Sequence, residues 1–290
     1  MADAALQFFV NGLVTGCFYS LMALGLAMIF GLMDVVNFAH GEFYVMGGVV
    51  AYAFSNLLGV DFYITIVLAV AIMFAFGAVV ERMFIRPLRG QHLLSTALVT
   101  IGLSIFLLNT LLLIFGNAPQ ALDTPFSRKP IFLGSVVLTE GRIFAVLIGV
   151  AAMILIYILI NWTKLGRAMR ATFQQKEAAA LVGVNVEAVY TYTFALGTAM
   201  AALSGVLLGA IFLIHPNTAE LATLKAFVVV ILGGMTNLAG AVAAGILLGV
   251  VESLWGGFVS TAYMDVIGFV MVILILLFRP AGLFSRRPGR

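Results

Sequence analysis

Four polar residues, Asp34, Asn37, His40 and Glu42, fall within a nine-residue stretch (34–42) bracketed by long apolar runs. Gly31 and Gly41 stand among them. A histidine two residues from a carboxylate could hold a metal or move a proton. The zinc pattern His-Glu-x-x-His is missing, however, and an isolated histidine makes a poor metal site. No nucleophile accompanies the pair, so an embedded enzyme has little to work with. A charge at mid-bilayer costs about 2.5–3.5 kcal/mol on insertion scales, so such a cluster should line a cavity or sit at an interface. Two readings stand on the residues alone. In one, a broken helix lines a translocation path, with Asp34, Asn37, His40, Gly41 and Glu42 along it. In the other, a turn at the cytoplasmic side uses its polar groups to cap helices. Either way Glu42 should open the following helix, where a carboxylate meets the positive end of the helix dipole.

A second polar stretch runs from Lys164 to Glu187. It holds Gly166, Arg167, Arg170, Lys176, Glu177, Ala178 and Ala179, and then Gly183. The segment is rich in good helix formers, and Gly183 suits a helix stop. Its cations would be neutralised by an acidic cytoplasmic partner or by anionic lipid. Small residues supply a third pattern. Gly197, Ala201, Gly205 and Gly209 recur every fourth residue, as do Ala241, Gly245, Gly249 and Ser253, and again Gly12, Gly16 and Ser20. That spacing lets helix backbones approach closely and predicts a compact bundle. Glu252 shares the face of Gly249, so it should be buried against a neighbouring helix and paired with a basic or hydroxyl group.

The elements that position these residues follow from composition. Of 290 residues, 63% are hydrophobic and 9% charged, against about 25% charged in soluble domains. The net charge is +3, and no basic-aromatic surface suggests nucleic acid. Cys17, the single cysteine, permits no internal disulfide. The first seven residues carry no Lys or Arg, so no signal peptide is expected there. Charge-free stretches cover 4–33, 43–60, 62–80, 93–122, 143–163, 188–214 and 226–251, with shorter ones at 253–264 and 266–278. In hydrocarbon every backbone polar group must be paired within its own segment, so these runs are helices. The chain is thus expected to be an all-α, polytopic transmembrane bundle of about 8–10 spans, nine by a direct reading, with a broken or re-entrant segment near 31–42. It forms a single domain over 1–290.

Basic residues orient it. Arg82, Arg86 and Arg89, then Lys164, Arg167, Arg170 and Lys176, then Arg279, Arg286, Arg287 and Arg290 mark three cytoplasmic segments, placing the C-terminus inside. The segment 116–142 then lies outside, although it carries Arg128, Lys129 and Arg142, and its three prolines suggest structure of its own. No P-loop lysine motif occurs, so the chain cannot bind ATP in that way.

At Asn37-Phe-Ala-His40-Gly41-Glu42, followed by Gly47-Gly48, the sequence resembles the branched-chain amino acid permease family of ABC importers, and within it the shorter of the two permease subunits. Glu177-Ala178-Ala179 with Gly183 resembles the Glu-Ala-Ala-x-x-x-Gly signature of importer permeases, although Thr193-Phe-Ala-Leu196 stands where Ile-x-Leu-Pro usually follows. Leu232-Gly-Gly-Met235, Gly240-Ala241, Glu252 and Arg279-Pro280-Ala-Gly282-Leu-Phe284 also match. The resemblance implies an inner-membrane subunit of an ATP-driven importer for branched-chain amino acids or related small solutes. It implies a second homologous permease, two cytoplasmic ATPases and a periplasmic solute-binding protein as partners, besides membrane lipid. ATP and Mg would be used on the partner subunits, with no cofactor in this chain. Gly166, Arg167, Arg170, Glu177, Ala178, Ala179 and Gly183 would contact the ATPase. The main alternative is a secondary transporter driven by an ion gradient, with Asp34, His40 and Glu42 carrying the ion.

Overall fold

A computed structural model describes residues 1–126 and 130–284, with Leu133 described by its backbone alone. Arg128, Lys129, Arg286, Arg287 and Arg290 lie outside the described residues. The chain is a helical membrane bundle. Its helices are α1 (Ala2–Met33), α2 (His40–Tyr52), α3 (Phe62–Val80), α4 (Leu93–Phe115), α5 (Glu140–Trp162), α6 (Lys164–Gln174), α7 (Lys176–Leu181), α8 (Val186–Gly209), α9 (Thr218–Gly233), α10 (Leu238–Phe258) and α11 (Met264–Phe278). A π-helical turn at Ala53–Leu57 extends α2. Seven of the nine charge-free stretches each hold one helix, α1, α2, α3, α4, α5, α8 or α11; the stretch 226–251 holds the end of α9 and most of α10, and 253–264 holds only the end of α10 and the turn before α11. Seven helical segments among the described residues are long and apolar enough to cross a membrane. Helices α2 and α9 are shorter and carry Glu42 and Lys225. The 16 residues of α9 reach about 24 Å, short of a hydrocarbon core of about 30 Å.

Burial and hydropathy run in opposite directions. The enclosed helices α1 and α8 are less hydropathic than the peripheral α4 and α5. A helix facing lipid must be apolar all round its exposed arc, whereas a central helix can carry glycine, serine and threonine that dock on neighbours. On α8 those residues include Thr193, Gly197, Thr198, Ser204 and Gly205, all buried.

The small-residue spacings mark the closest helix pairs. Along α1 and α10, a β-carbon at Gly16 would stand 2.7 Å from the α-carbon of Ile246, and one at Gly12 would stand 2.5 Å from that of Val250. Gly245 and Gly249 meet the same α1 face at Ser20 and Gly16, and Ser20 Oγ lies 2.7 Å from the carbonyls of both Gly16 and Val242. Along α1 and α8, a β-carbon at Gly25 would stand 2.5 Å from the carbonyl oxygen of Gly197, and one at Gly197 2.7 Å from that of Gly25. Gly205 meets the Tyr44 carbonyl of α2, and Gly209 meets Ile214. Gly16→Val is therefore expected to wedge α1 off α10 and destabilise the bundle by about 1–3 kcal/mol, the usual penalty for overpacking. Thermal unfolding of the purified protein checks it; an unchanged midpoint would mean that the two helices do not pack this way.

The stretch 116–142 does have structure of its own. Its strands β1 (Pro130–Leu133) and β2 (Val136–Thr139) pair antiparallel, with Pro130 opposite Thr139 and Leu133 opposite Val136. Gln120 exchanges backbone hydrogen bonds with Ile214, Asn56 bonds Ala121 and Asp123, and Gln7 bonds Val137. The segment thus straps the ends of α1, α2 and α8 together on one side of the bundle.

Candidate functional site

The chain leaves α1 at Asp34, whose backbone is left-handed (φ 52°) and which stays exposed. It re-enters helix at His40 beside Met22 of α1, so the chain reverses over Asp34–Ala39 and α2 runs back along the bundle toward the side where α1 begins. Thr100 Oγ1 of α4 lies 2.9 Å from the Val36 carbonyl and 3.2 Å from the Phe38 amide, bridging the unwound backbone. On the other flank the Gly41 amide donates to Thr223 Oγ1 of α9 at 2.9 Å, an approach that leaves no room for a β-carbon at Gly41.

Asn37, His40 and Glu42 are enclosed, with 0%, 0% and 1% of their surfaces exposed. His40 Nε2 lies 3.0 Å from the Met22 carbonyl of α1. Ser104 Oγ of α4 donates to Glu42 Oε1 at 2.6 Å. Ser104 stands eleven residues beyond Leu93, the first residue of α4, which is about 16 Å along the axis and close to half the hydrocarbon thickness. Glu42, in the first turn of α2, therefore meets α4 about half-way along that helix and not at its end. Asn37 Nδ2, His40 Nδ1 and Glu42 Oε2 are buried with no hydrogen-bonding partner among the described residues. Three such atoms within six residues are unusual, because buried polar atoms are nearly always paired.

The stretch 164–187 forms two helices, α6 and α7, split at Gln175, which has extended backbone. Thr163 caps α6 by accepting from the Gly166 amide at 3.0 Å. Helix α7 ends in paired bonds, Val184 N to Ala179 O at 3.0 Å and Gly183 N to Ala180 O at 3.0 Å, with Gly183 at φ +86°. This is the glycine-terminated stop that satisfies the last carbonyls of a helix. Glu177, Ala178, Leu181 and Val182 are exposed, Leu181 at 88% and Val182 at 80%. Asn185 then caps α8 by accepting from the Ala188 amide at 3.0 Å. Only residues 182–185 separate the exposed α7 from the enclosed α8.

At the foot of α8 a charged cluster joins it to the end of α3. Buried Glu81 is ion-paired with Arg89 and accepts from Thr191 Oγ1 at 2.6 Å. Glu187 lies 2.7 Å from Arg86 and 3.7 Å from Arg89, and the Arg89 guanidinium stacks 4.6 Å over the Tyr190 ring.

A family model described as the branched-chain amino acid transport system permease component matches residues 8–276. The permease LivH of the high-affinity branched-chain amino acid transport system of Escherichia coli is 36% identical over 296 residues, covering 97% of this chain and 96% of that protein. BraD, its counterpart in Pseudomonas aeruginosa, is 36% identical over 294 residues, covering 97% and 96%. A probable LivH of the archaeon Methanocaldococcus jannaschii is 28% identical over 280 residues, covering 91% and 87%.

The chain belongs to this permease family. The permease is a multi-pass membrane protein and a transport subunit, not an enzyme. Asn37, His40, Gly41 and Glu42 of the permease come together inside the bundle, and Asp34 stays apart from them. Arg167, Glu177, Ala178 and Gly183 are exposed, whereas Ala179 is buried. Gly166 and Arg170 are used within the chain: Gly166 packs on the Leu159 and Ile160 carbonyls, and Arg170 donates to the Ile160 carbonyl, together making the α5–α6 corner.

Glu252 finds the partners its burial demands. Lys225 Nζ of α9 lies 2.8 Å from Glu252 Oε2, 2.6 Å from the Tyr19 hydroxyl and 2.6 Å from Asp265 Oδ1 of α11. The Tyr19 hydroxyl lies 2.9 Å from the same Glu252 oxygen. Four helices of the permease thus meet at one intramembrane charge network. Sequence reasoning did not single out Lys225. Its signal was available: a lysine interrupting the apolar run of α9 needs an acidic partner, and Glu252 stands in the next span. Glu81, Arg89 and Glu187 were likewise missed, because they read as ordinary loop charges until α3 and α8 are placed side by side.

Proposed function

We propose that the permease imports branched-chain amino acids or related small solutes across a bacterial inner membrane, on energy from ATP hydrolysed by partner subunits. The full-length similarity to LivH and BraD, whose names specify branched-chain amino acid transport, carries this reading. In it a periplasmic binding protein delivers the solute on the side of β1 and β2. Two cytoplasmic ATPases, which hold the ATP and Mg, grip α6 and α7, and a second permease completes the path. Three clustered features support that orientation, with the C-terminus cytoplasmic. The Arg86–Arg89 loop contacts Glu187 just beyond α7. The tail folds back on the α9–α10 turn through Leu283 N to Leu232 O at 2.8 Å and Asn237 Nδ2 to Phe284 O at 2.8 Å. On the opposite side of the bundle, the 116–142 segment bonds the start of α1 at Gln7 and the end of the α2 extension at Asn56.

The mechanism follows from connectivity. Closure of the ATPases displaces α7. The four-residue link 182–185 passes that displacement to α8, and the Glu187–Arg86–Arg89–Glu81 cluster passes it to α3. Helix α8 packs on α1, α2 and α3 at once, so its tilt shifts the broken segment around His40 and Glu42. Alternation between inward and outward states needs such a two-state element, biased by nucleotide at one end and solute at the other. The unpaired atoms of Asn37, His40 and Glu42 would find partners in the solute, in water or in the other state.

Vesicles containing the permease with its partner subunits test the reading. Uptake is expected to require ATP inside the compartment that holds the ATPases. Uptake that continues without ATP and collapses with the ion gradient would replace this reading with a secondary transporter. Within the path, His40→Ala is expected to slow uptake about tenfold, or about 1.4 kcal/mol, at unchanged membrane abundance. If abundance falls in step with uptake, His40 only holds α2 on α1.

A further inference from the structure

A groove of about 370 Å³ lies between α5 and the inner helices α1 and α10, roofed by α6. Its volume is within the range of about 300–1,000 Å³ typical of ligand sites. Met28, Met153 and Ile156 give it apolar walls, while Arg170, Asn161 and Asn237 stand among its lining groups. Helix α5, which forms one wall, buries only Gly141, Ala145, Gly149 and Ile156. The groove therefore lies on the flank of the bundle and reaches α8 at Thr193. Helix α6 is amphipathic: it buries Gly166, Met169 and Thr172, and exposes Lys164 and Arg167. Trp162 at the end of α5 and Phe173 in the last turn of α6 are 72% and 50% exposed, as aromatic residues are at a membrane–water boundary.

We infer that this groove holds one acyl chain of an anionic glycerophospholipid from the leaflet next to α6, with the phosphate at Arg170 and Asn161. Charge complementarity selects this occupant. A guanidinium has five N–H donors, and one of those of Arg170 goes to the Ile160 carbonyl, leaving others for a phosphate. No Asp or Glu is among the lining residues, so the ammonium of an amino acid would enter unmatched, whereas an anion with an apolar tail finds both its halves served. Lys164 and Arg167, one turn of α6 apart, add cation attraction at the boundary. The site would wedge α5 against the α6 corner that carries α7, so the lipid would set how firmly the coupling segment is held. The inference rests on membrane placement alone and is independent of the solute and the energy source.

The full-length chain, purified in nanodiscs of mixed phosphatidylethanolamine and phosphatidylglycerol, tests it by native mass spectrometry of retained lipid. Phosphatidylglycerol is expected to be retained over phosphatidylethanolamine by roughly fivefold. Arg170→Gln should abolish that preference and Arg170→Lys keep part of it. Met153→Trp, which fills the apolar end, should lose the retained lipid with the melting temperature unchanged. Equal retention of the two lipids by the wild-type chain would overturn the inference, as would wild-type retention in both Arg170→Gln and Met153→Trp. Displacement by glycerol phosphate as effective as by whole lipid would make this a free-anion site, and displacement by leucine a solute site; either also overturns it.

Discussion

Glu177→Lys is expected to abolish ATP-dependent uptake while the permease still inserts at normal abundance. Glu177 stands exposed in the first turn of α7, where its carboxylate also meets the positive end of the helix. An exposed residue on a helix this short contributes little to folding, so reversing its charge spares the bundle. On the proposed docking of the ATPase at α7, it would place a cation where the contact is built around an anion. Removing one partner of a desolvated charge pair costs about 2–5 kcal/mol of association, which is roughly 30-fold or more in affinity. Gly183 gives a second handle on the same contact. At φ +86° a β-branched side chain is strained by about 1–2 kcal/mol, so Gly183→Val should re-aim α7 and lose uptake. Gly183→Asn, which tolerates this conformation, should retain most of it. Co-purification of the ATPase with each variant, beside uptake rates, separates docking from folding. Wild-type uptake by Glu177→Lys and Gly183→Val together would remove α7 from the coupling role.

Lys225→Met is expected to destabilise the permease by about 3–5 kcal/mol, because it leaves the enclosed Glu252 carboxylate without its cation. Asp265 adds less, since its side chain is 41% exposed and can be solvated. The double variant Lys225→Met/Glu252→Met should recover most of the loss, because two apolar side chains of similar volume no longer oblige the bundle to bury a lone charge. Tyr19→Phe removes one hydroxyl from the network and should cost about 1 kcal/mol. Denaturation midpoints in detergent of the wild type, Lys225→Met, Glu252→Met, the double variant and Tyr19→Phe measure these differences. If the double variant is as unstable as the sum of the singles, the pair is not coupled and the charges stand near one another without holding the helices together.

Hydropathy located the seven membrane-crossing segments among the described residues, but counted α2 and α9, too short to cross, as two more; the helices themselves follow for a physical reason. A backbone in hydrocarbon must satisfy itself, so each apolar run of sufficient length is committed to helix whatever its neighbours do. Local chemistry also wrote the end of α7 at Gly183, the start of α2 close to Glu42, and the need of Glu252 for a partner. The spacing of Gly12, Gly16 and Ser20 marked a docking face, but not that Gly245 and Gly249 would meet it.

Lateral arrangement was decided by the tertiary structure. Lipid tails are about as apolar as leucine, so hydropathy does not say which face of a span meets protein. That α8 is central, that α4 supplies Ser104 to Glu42 about half-way along its length, and that Lys225 joins Tyr19, Glu252 and Asp265 all depend on how helices distant in sequence pack. The same packing turned Gly166 and Arg170 inward to build the α5–α6 corner and left Glu177 facing outward. The sequence by itself determined what must be helix and which polar groups needed company; only the fold, by setting distances between spans, decided who that company would be.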